Sequence, residues 1–309
     1  MTWAETALEN WGLAGARIGE PISRENTVWK VEADGRALAL RRHRPGYRSE
    51  TELRSELAWV EMLFAAGLPT PKPVAAPDSA LLVSVDGAQA SVLTWLPGSQ
   101  MGRTGAPLNL PEPEAIFERL GVVMARMHLA SDAWSPPSGF TRHAWDQDGL
   151  IGEAPVWGCF WRAPFLSETD RDILITLRSE ADALHAAFSN DSGLIHADLM
   201  RENVLISDCV PQMIDFDDGG WGPRLFDIAT ALVKNIDEPG FADLQAALLR
   251  GYRQHRPIDT DALSLMMALR AATYIGWLAD RWDEPGAKER AGRNIDAAVR
   301  LARRALEIA

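Results

Sequence analysis

The sequence predicts an α+β chain. A small antiparallel β-rich N-terminal part with one helix, residues 1–95, precedes a larger, mainly helical part, residues 96–309. Three observations predict this. Strand-like runs in the first third meet at Asp-Gly pairs: TVWKVEA (27–33) and RALALRR (36–42) flank Asp34-Gly35, and LLVSV (81–85) and ASVLTW (90–95) flank Asp86-Gly87. Asp-Gly between apolar runs marks a two-residue hairpin turn, because both turn residues need positive φ. Beyond residue 105 the apolar residues recur at helical spacing. The length of 309 residues is enough for two parts that each bury a core.

The elements follow in order. Ser49 and Glu52 form a capping-box pattern, and Leu53, Leu57, Val60 and Phe64 then fall on one helical face. LPTPKPVAAP (68–77) is a proline-rich connection, and LPGSQMGRTG (96–105) reads as a loop. A helix over 114–130 carries Phe117, Leu120, Met124 and Met127 at matching spacing. The stretch 131–166 is irregular and holds four of the twelve tryptophans. Residues 169–188 are helical again, with Ile173, Leu177, Ala181, Leu184 and Phe188 on one face. NVLIS (203–207) and QMIDF (212–216) read as short strands, and 225–309 as mostly helix. There is no internal repeat and no low-complexity segment.

Composition narrows the function. A formal net charge of −12 argues against nucleic acid or an anionic membrane as the main partner, since both need basic surface. It leaves room for a polyanionic small molecule, which needs only local positive charge. Cys159 and Cys209 are the two cysteines; they make no disulfide framework and no Cys/His metal pattern, so a reducing cytoplasm is the expected compartment. MTWAETALENWGL has no basic region followed by an apolar core and reads as no signal peptide. The most apolar window, 262–279, contains Arg270 and is flanked by Asp261 and Asp280, which suits a buried helix better than a membrane span.

The segment LIHADLMRENVLI (194–206) sets His196, Asp198, Arg201, Glu202 and Asn203 between apolar flanks. Asn203 lies five positions after Asp198, and Asp215, in MIDFDD, twelve after Asn203. An acid, an amide and a second acid at strand edges supply what magnesium-assisted phosphoryl transfer needs. Mg²⁺ takes oxygen ligands, often only one or two from protein, and a further carboxylate accepts the proton of the attacking hydroxyl. Taken singly, each of the three also reads as a turn or capping residue. Arg201 and Glu202 are expected to be solvated, with Arg201 a possible phosphate contact.

HADLMRENVLI followed by MIDFDDGGWGPRLFDIA resembles the paired motifs of the aminoglycoside phosphotransferase superfamily, which includes choline kinase, type II homoserine kinase and a bacterial stress-response kinase. The resemblance implies a bilobal, protein-kinase-like fold with Mg-ATP in the cleft between the lobes. It implies that Asp198 is the catalytic base or substrate-orienting carboxylate, that His196 braces the loop and that Asp227 anchors it. It assigns Asn203 and Asp215 to Mg²⁺, with Asp217 a further candidate near the metal and acceptor.

On the nucleotide side, the phosphate-covering loop corresponds to PISRENTVW (21–29). It contains no glycine, so the backbone around Glu25 and Asn26 either faces phosphate or forms an ordinary turn. The family's strand lysine is replaced by Arg41, in a chain with only four lysines. Arginine stays charged and forks across two phosphate oxygens, with different geometry. Glu56 matches the helix glutamate that would pair with Arg41, and Lys30 is the alternative cation. Leu93, Thr94 and Trp95 end the last small-lobe strand, where backbone groups would meet the purine edge.

Asp215 and Asp227 are only 12 residues apart, too close for the long activation loop with which protein kinases dock peptides, so a small-molecule acceptor is expected. Trp145, Trp157, Phe160 and Trp161, with Tyr274, Trp277, Asp280 and Trp282, offer aromatic faces and carboxylates that suit an amine. Core packing explains the same tryptophans. HADLMRENVL is most similar to the homoserine-kinase branch. The expected activity is ATP-dependent phosphorylation of a small hydroxylated metabolite: an amino alcohol, a hydroxy amino acid such as homoserine, or an aminoglycoside-like sugar. A Ser/Thr protein kinase and a non-catalytic kinase-like module are the alternatives.

Overall fold

The computed structural model describes residues 2–23, 26–183 and 188–307. In chain order the elements are α1 (Trp3–Glu9), β1 (Arg17–Ser23), β2 (Thr27–Ala33), β3 (Arg36–Arg42), α2 (Glu50–Ala65), β4 (Leu82–Val85), β5 (Ala88–Thr94) and β6 (Ser99–Gln100). Then come α3 (Pro113–Ala133), α4 (Gln147–Ile151), α5 (Glu168–Ala183), β7 (Ser192–Ile195), β8 (Val204–Ser207), β9 (Val210–Met213) and β10 (Gly220–Pro223). Four helices close the chain: α6 (Arg224–Val233), α7 (Phe241–Arg253), α8 (Leu263–Ala279) and α9 (Ala287–Ala305). The chain forms two compact units. One comprises Met1–Ser99, Ala133–Arg142 and Val204–Asp217; the other comprises Gln100–Asp132, His143–Asn203 and Asp218–Ala309.

The first unit is built on an antiparallel five-stranded sheet in the order β1-β2-β3-β5-β4. β2 and β3 pair from Thr27↔Arg42 to Ala33↔Arg36. That register places Asp34 and Gly35 alone in the turn, with φ of 53° and 71°. Alternation then sends Val31, Leu38 and Leu40 into a core with Leu8, Trp11 and Val92. Arg41 takes the opposite face. The capping box at Ser49 forms as expected, with Ser49 Oγ accepting from Glu52 N. Phe64, placed on the apolar face by the pattern, is instead 40% exposed near the end of α2.

Two elements of this unit differ from the sequence expectation. Pro21–Ser23 is not loop: Ser23 pairs with Thr27 and Pro21 with Trp29, beyond a register shift between Ile18 and Pro21. β1 is the edge strand, where a proline without an N–H costs no ladder bond. The strand expected at 212–216 ends at Met213. Asp215 has left-handed φ of 67°, and Phe216 turns in to meet Trp59 edge-on at 5.3 Å. Glu25 and Leu184, both singled out above, lie outside the described residues.

In the second unit, α8 is buried along nearly its whole length. Gly276 is required there: a Cβ would stand 2.4 Å from the Trp157 carbonyl oxygen. The stretch 131–166 is less irregular than expected, since it includes α4 and a 3₁₀ turn at Phe160–Arg162. β7 and β10 pair from Gly220↔Ile195 to Pro223↔Ser192. This small ladder fixes where the polar segment begins, at His196, and where α6 begins, at Arg224. Among the described residues no helix is long and apolar enough to cross a membrane.

Candidate active site

The polar loop leaves β7 at Ile195 and is held from below by Asp227, in the first turn of α6. Asp227 Oδ2 accepts from His196 N at 3.0 Å and Oδ1 from Ala197 N at 2.8 Å. His128 Nε2 meets Oδ2 at 3.0 Å, and His128 Nδ1 meets the Tyr252 hydroxyl at 2.8 Å. Asp227, His128 and His196 are fully buried. Burial opposes ionisation, but the hydrogen bonds and charge from the two histidines outweigh it and hold the Asp227 carboxyl below its ordinary value. The bonds have conformational work to do, because Ala197 is left-handed at φ 62° without being glycine. His196 Nδ1 accepts from Asp198 N at 3.3 Å, so its ring braces the loop.

Asp198 is gripped on both carboxylate oxygens. Asn203 Nδ2 donates to Oδ2 at 2.7 Å and to the Asp198 carbonyl at 2.9 Å. Arg270 Nη2 donates to Oδ1 at 2.8 Å. Arg270 is fully buried on α8 and donates through Nη1 to Thr273 Oγ1 at 3.1 Å. Its guanidinium lies 4.4 Å from the Trp157 ring centroid and 4.3 Å from that of Tyr274. Arg201 and Glu202, expected in solvent, are buried. Arg201 reaches Asn235 Oδ1 at 2.8 Å and the Ala106 carbonyl at 2.7 Å, and Glu202 accepts from Thr104 N at 2.6 Å. Both fasten the 3₁₀ turn Arg201–Asn203 to its surroundings, an internal role that the pattern of charges concealed.

Arg270 and Lys234 were not recognised as site residues from the sequence. Lys234 follows α6, and its Nζ lies 3.4 Å from the Tyr274 ring centroid. Burial and the Arg270 charge push Lys234 down to about 7, against the pull of Asp198 and Glu202.

In the first unit Arg41 is the centre of a second charged cluster. Nη1 donates to Glu56 Oε1 at 2.8 Å, and Nη2 to Asp215 Oδ1 at 3.3 Å and to Asp217 Oδ1. Asn26 Nδ2 also donates to Asp217, and Asn26 Oδ1 accepts from Arg44 N at 3.1 Å. Arg142 ties the segment to α2, donating to the carbonyls of Phe216 at 3.0 Å and Glu52 at 3.1 Å. Burial and the Asp217 charge push the Glu56 carboxyl up to about 7, although Arg41 and Arg142 oppose the shift. Asp217 is buried too, but Arg41 holds its carboxyl well below the ordinary carboxylate value. The Asp215 side chain is 46% exposed, so it keeps access to solvent and small ligands.

The remaining candidates fall as follows. Leu93 is buried and pairs with Ala39 in the sheet. The amides of Thr94 and Trp95 donate to the carbonyls of Lys72 at 2.8 Å and Ala37 at 3.0 Å. Those two donors are therefore committed to the fold. Lys30 pairs with Glu32 at 3.4 Å near the surface. Trp145 is fully buried, stacks on Phe226 at 5.7 Å and donates to the Asp218 carbonyl at 2.7 Å. Trp161 is buried under the Arg178 guanidinium at 4.1 Å. Trp277 keeps partial exposure, 6.3 Å from Trp157.

The sheet with its Arg–Glu pair and the helical unit with its Asp–Asn loop have the protein-kinase-like fold class of small-molecule phosphotransferases. Residues 19–264 match the family model described as "Phosphotransferase enzyme family" (APH), and the chain belongs to that family. A homoserine kinase of Acidiphilium cryptum (strain JF-5) is 31% identical over 232 residues, which cover 72% of this chain and 68% of that protein. The solved structure of a microcompartment-associated aminopropanol kinase is 26% identical with a TM-score of 0.83, covering 98% of this chain and 97% of that one. An amicoumacin kinase, solved with AMP-PNP, Ca²⁺ and Ami, shares the fold at 20% identity and TM-score 0.73, covering 92% of this chain and 88% of that one.

Proposed function

We propose that this phosphotransferase moves the γ-phosphoryl group of ATP to the hydroxyl of a small metabolite bearing an amine, such as an amino alcohol, homoserine or an aminoglycoside-like sugar. The observation that carries the reading is the grip on Asp198, whose two carboxylate oxygens are fixed by Asn203 at 2.7 Å and Arg270 at 2.8 Å. A carboxylate so fixed is preorganised to orient an acceptor hydroxyl and take its proton. His196 braces it through the Asp198 amide. Residues 1–95 form the nucleotide-binding lobe in this reading, and 96–309 the lobe for catalysis and the acceptor.

Arg41, oriented by Glu56, steadies the phosphates, with Asn26 beside it. Asn203 and Asp215 suit Mg²⁺ by donor chemistry. Asn203 spends its amide nitrogen on Asp198, which leaves Oδ1 as an oxygen donor, and Asp215 offers a half-exposed carboxylate. The cation would neutralise phosphate charge. AMP-PNP and Ca²⁺ in the amicoumacin kinase support a nucleotide with a divalent ion. Similarity to a homoserine kinase and to an aminopropanol kinase supports a small acceptor over a protein acceptor or a non-catalytic module. Two cysteines with neither a disulfide framework nor a Cys/His metal pattern in the sequence suit a reducing cytoplasm.

Thermal unfolding tests the nucleotide half, since a ligand that binds only the folded state raises the midpoint. ATP with Mg²⁺ is expected to raise it more than ATP with EDTA, with a further rise from a pool containing the acceptor. No shift at saturating Mg-ATP would count against the reading.

A further inference from the structure

Lys234 and Arg270 share one aromatic ring. Lys234 Nζ lies 3.4 Å from the Tyr274 centroid and the Arg270 guanidinium carbon 4.3 Å from it. Two cations on one buried ring repel each other, and a carboxylate bound beside them would hold both in the charged form. Arg270 has its carboxylate, Asp198, at 2.8 Å. Among the described residues Lys234 makes no ion pair; its close contact is the ring. The Tyr274 hydroxyl is turned away to Met200 Sδ at 3.1 Å, so it does not serve the ammonium. Burial and the Arg270 charge hold Lys234 below its ordinary basicity despite Asp198 and Glu202, and a bound carboxylate would oppose both effects. Glu202 is itself occupied by the amide and hydroxyl of Thr104, at 2.6 and 3.1 Å.

We propose that Lys234 is a specificity-determining residue that receives a carboxylate of the acceptor, which makes the acceptor a hydroxylated amino acid in preference to a plain amino alcohol. The inference rests on the reading of Asp198 as the acceptor-orienting carboxylate. An acid bound with its hydroxyl at Asp198 presents its carboxylate to the ammonium that shares the Tyr274 ring with Arg270. An amino alcohol lacks that group and leaves Lys234 uncompensated.

The test compares homoserine with its decarboxylated analogue, 3-aminopropan-1-ol, as acceptors for the wild-type protein, Lys234→Met and Lys234→Arg. One charge-assisted hydrogen bond corresponds to a preference of roughly 10- to 100-fold in kcat/KM. The wild type is expected to favour the acid by that factor. Lys234→Met should bring the ratio toward one, mainly through KM for the acid, and Lys234→Arg should restore part of it. A wild type that uses both acceptors equally, or a variant that loses kcat on both alike, overturns the Lys234 assignment while leaving phosphoryl transfer standing. Turnover of neither acceptor overturns the assignment as well; a Mg-ATP midpoint shift in the same preparation then shows that the nucleotide reading survives. The wild-type comparison decides even if Lys234→Met fails to fold.

Discussion

Replacing Asp227 by alanine removes one carboxylate and strands three donors. His196 N at 3.0 Å, Ala197 N at 2.8 Å and His128 Nε2 at 3.0 Å all meet this group in a fully buried setting. Each stranded buried donor costs about 1–3 kcal/mol, so three give a range of about 3–9 kcal/mol. Relaxation and entry of water favour the low end, so about 4 kcal/mol is expected, in line with breaking a buried pair. Asp227→Asn keeps one acceptor oxygen and should lose about 2 kcal/mol. Urea unfolding measures both as shifts in midpoint at constant slope. The pH dependence has a definite sign. The folded carboxyl sits below its ordinary 3.8, so its contribution is present above that pH and fades as pH falls through the folded value. The gap between wild type and Asp227→Ala should therefore narrow in acid. A loss under about 1 kcal/mol at neutral pH would refute the anchoring role.

Arg270→Met should lower kcat, because Asp198 loses the donor that fixes its Oδ1 at 2.8 Å. An unchanged kcat in a folded variant would show that Arg270 serves packing alone. Lys234, held down at about 7, makes wild-type stability rise with pH between that value and the ordinary 10.5, because the unfolded chain binds the extra proton there. Lys234→Met should remove that rise in urea unfolding across the same range; an identical slope in both proteins would contradict it. Glu56→Ala should cost only about 2 kcal/mol despite full burial, since Arg41 keeps Asp217, while raising KM for the nucleotide. An unchanged nucleotide KM would separate the ion pair from nucleotide binding.

The parts of the fold that local chemistry decides were readable from the chain. Asp34-Gly35 alone sets the register of β2 and β3, and Ser49 with Glu52 sets the start of α2. The elements that were not foreseen depend on neighbours. β10, in the glycine-rich Gly220–Pro223, has almost no strand propensity and exists because β7 pairs with it. β1 tolerates Pro21 only as an edge strand, a property of the assembled sheet. At the site, Asp198, Asn203 and Asp215 stood out by spacing, and the family resemblance pointed to Asp227. Arg270 did not, because a single charge in an apolar helix looks the same whether or not a carboxylate 72 positions earlier is waiting for it. Lys234 gave no periodic signal either, since its meaning comes from the Tyr274 ring. Arg201 and Glu202 were misread because a charged pair in a loop is usually solvated, and only the tertiary contacts to Asn235 and Thr104 bury them.

The most direct test of the central claim is ³¹P NMR of the protein with Mg-ATP and acceptor, run side by side with Asp198→Asn. The prediction is ADP and an acceptor phosphomonoester appearing in equal amounts, only when acceptor is present, with the rate falling at least about 100-fold in the variant. ADP formed at the same rate with or without acceptor, or phosphoester formed undiminished by Asp198→Asn, would contradict it.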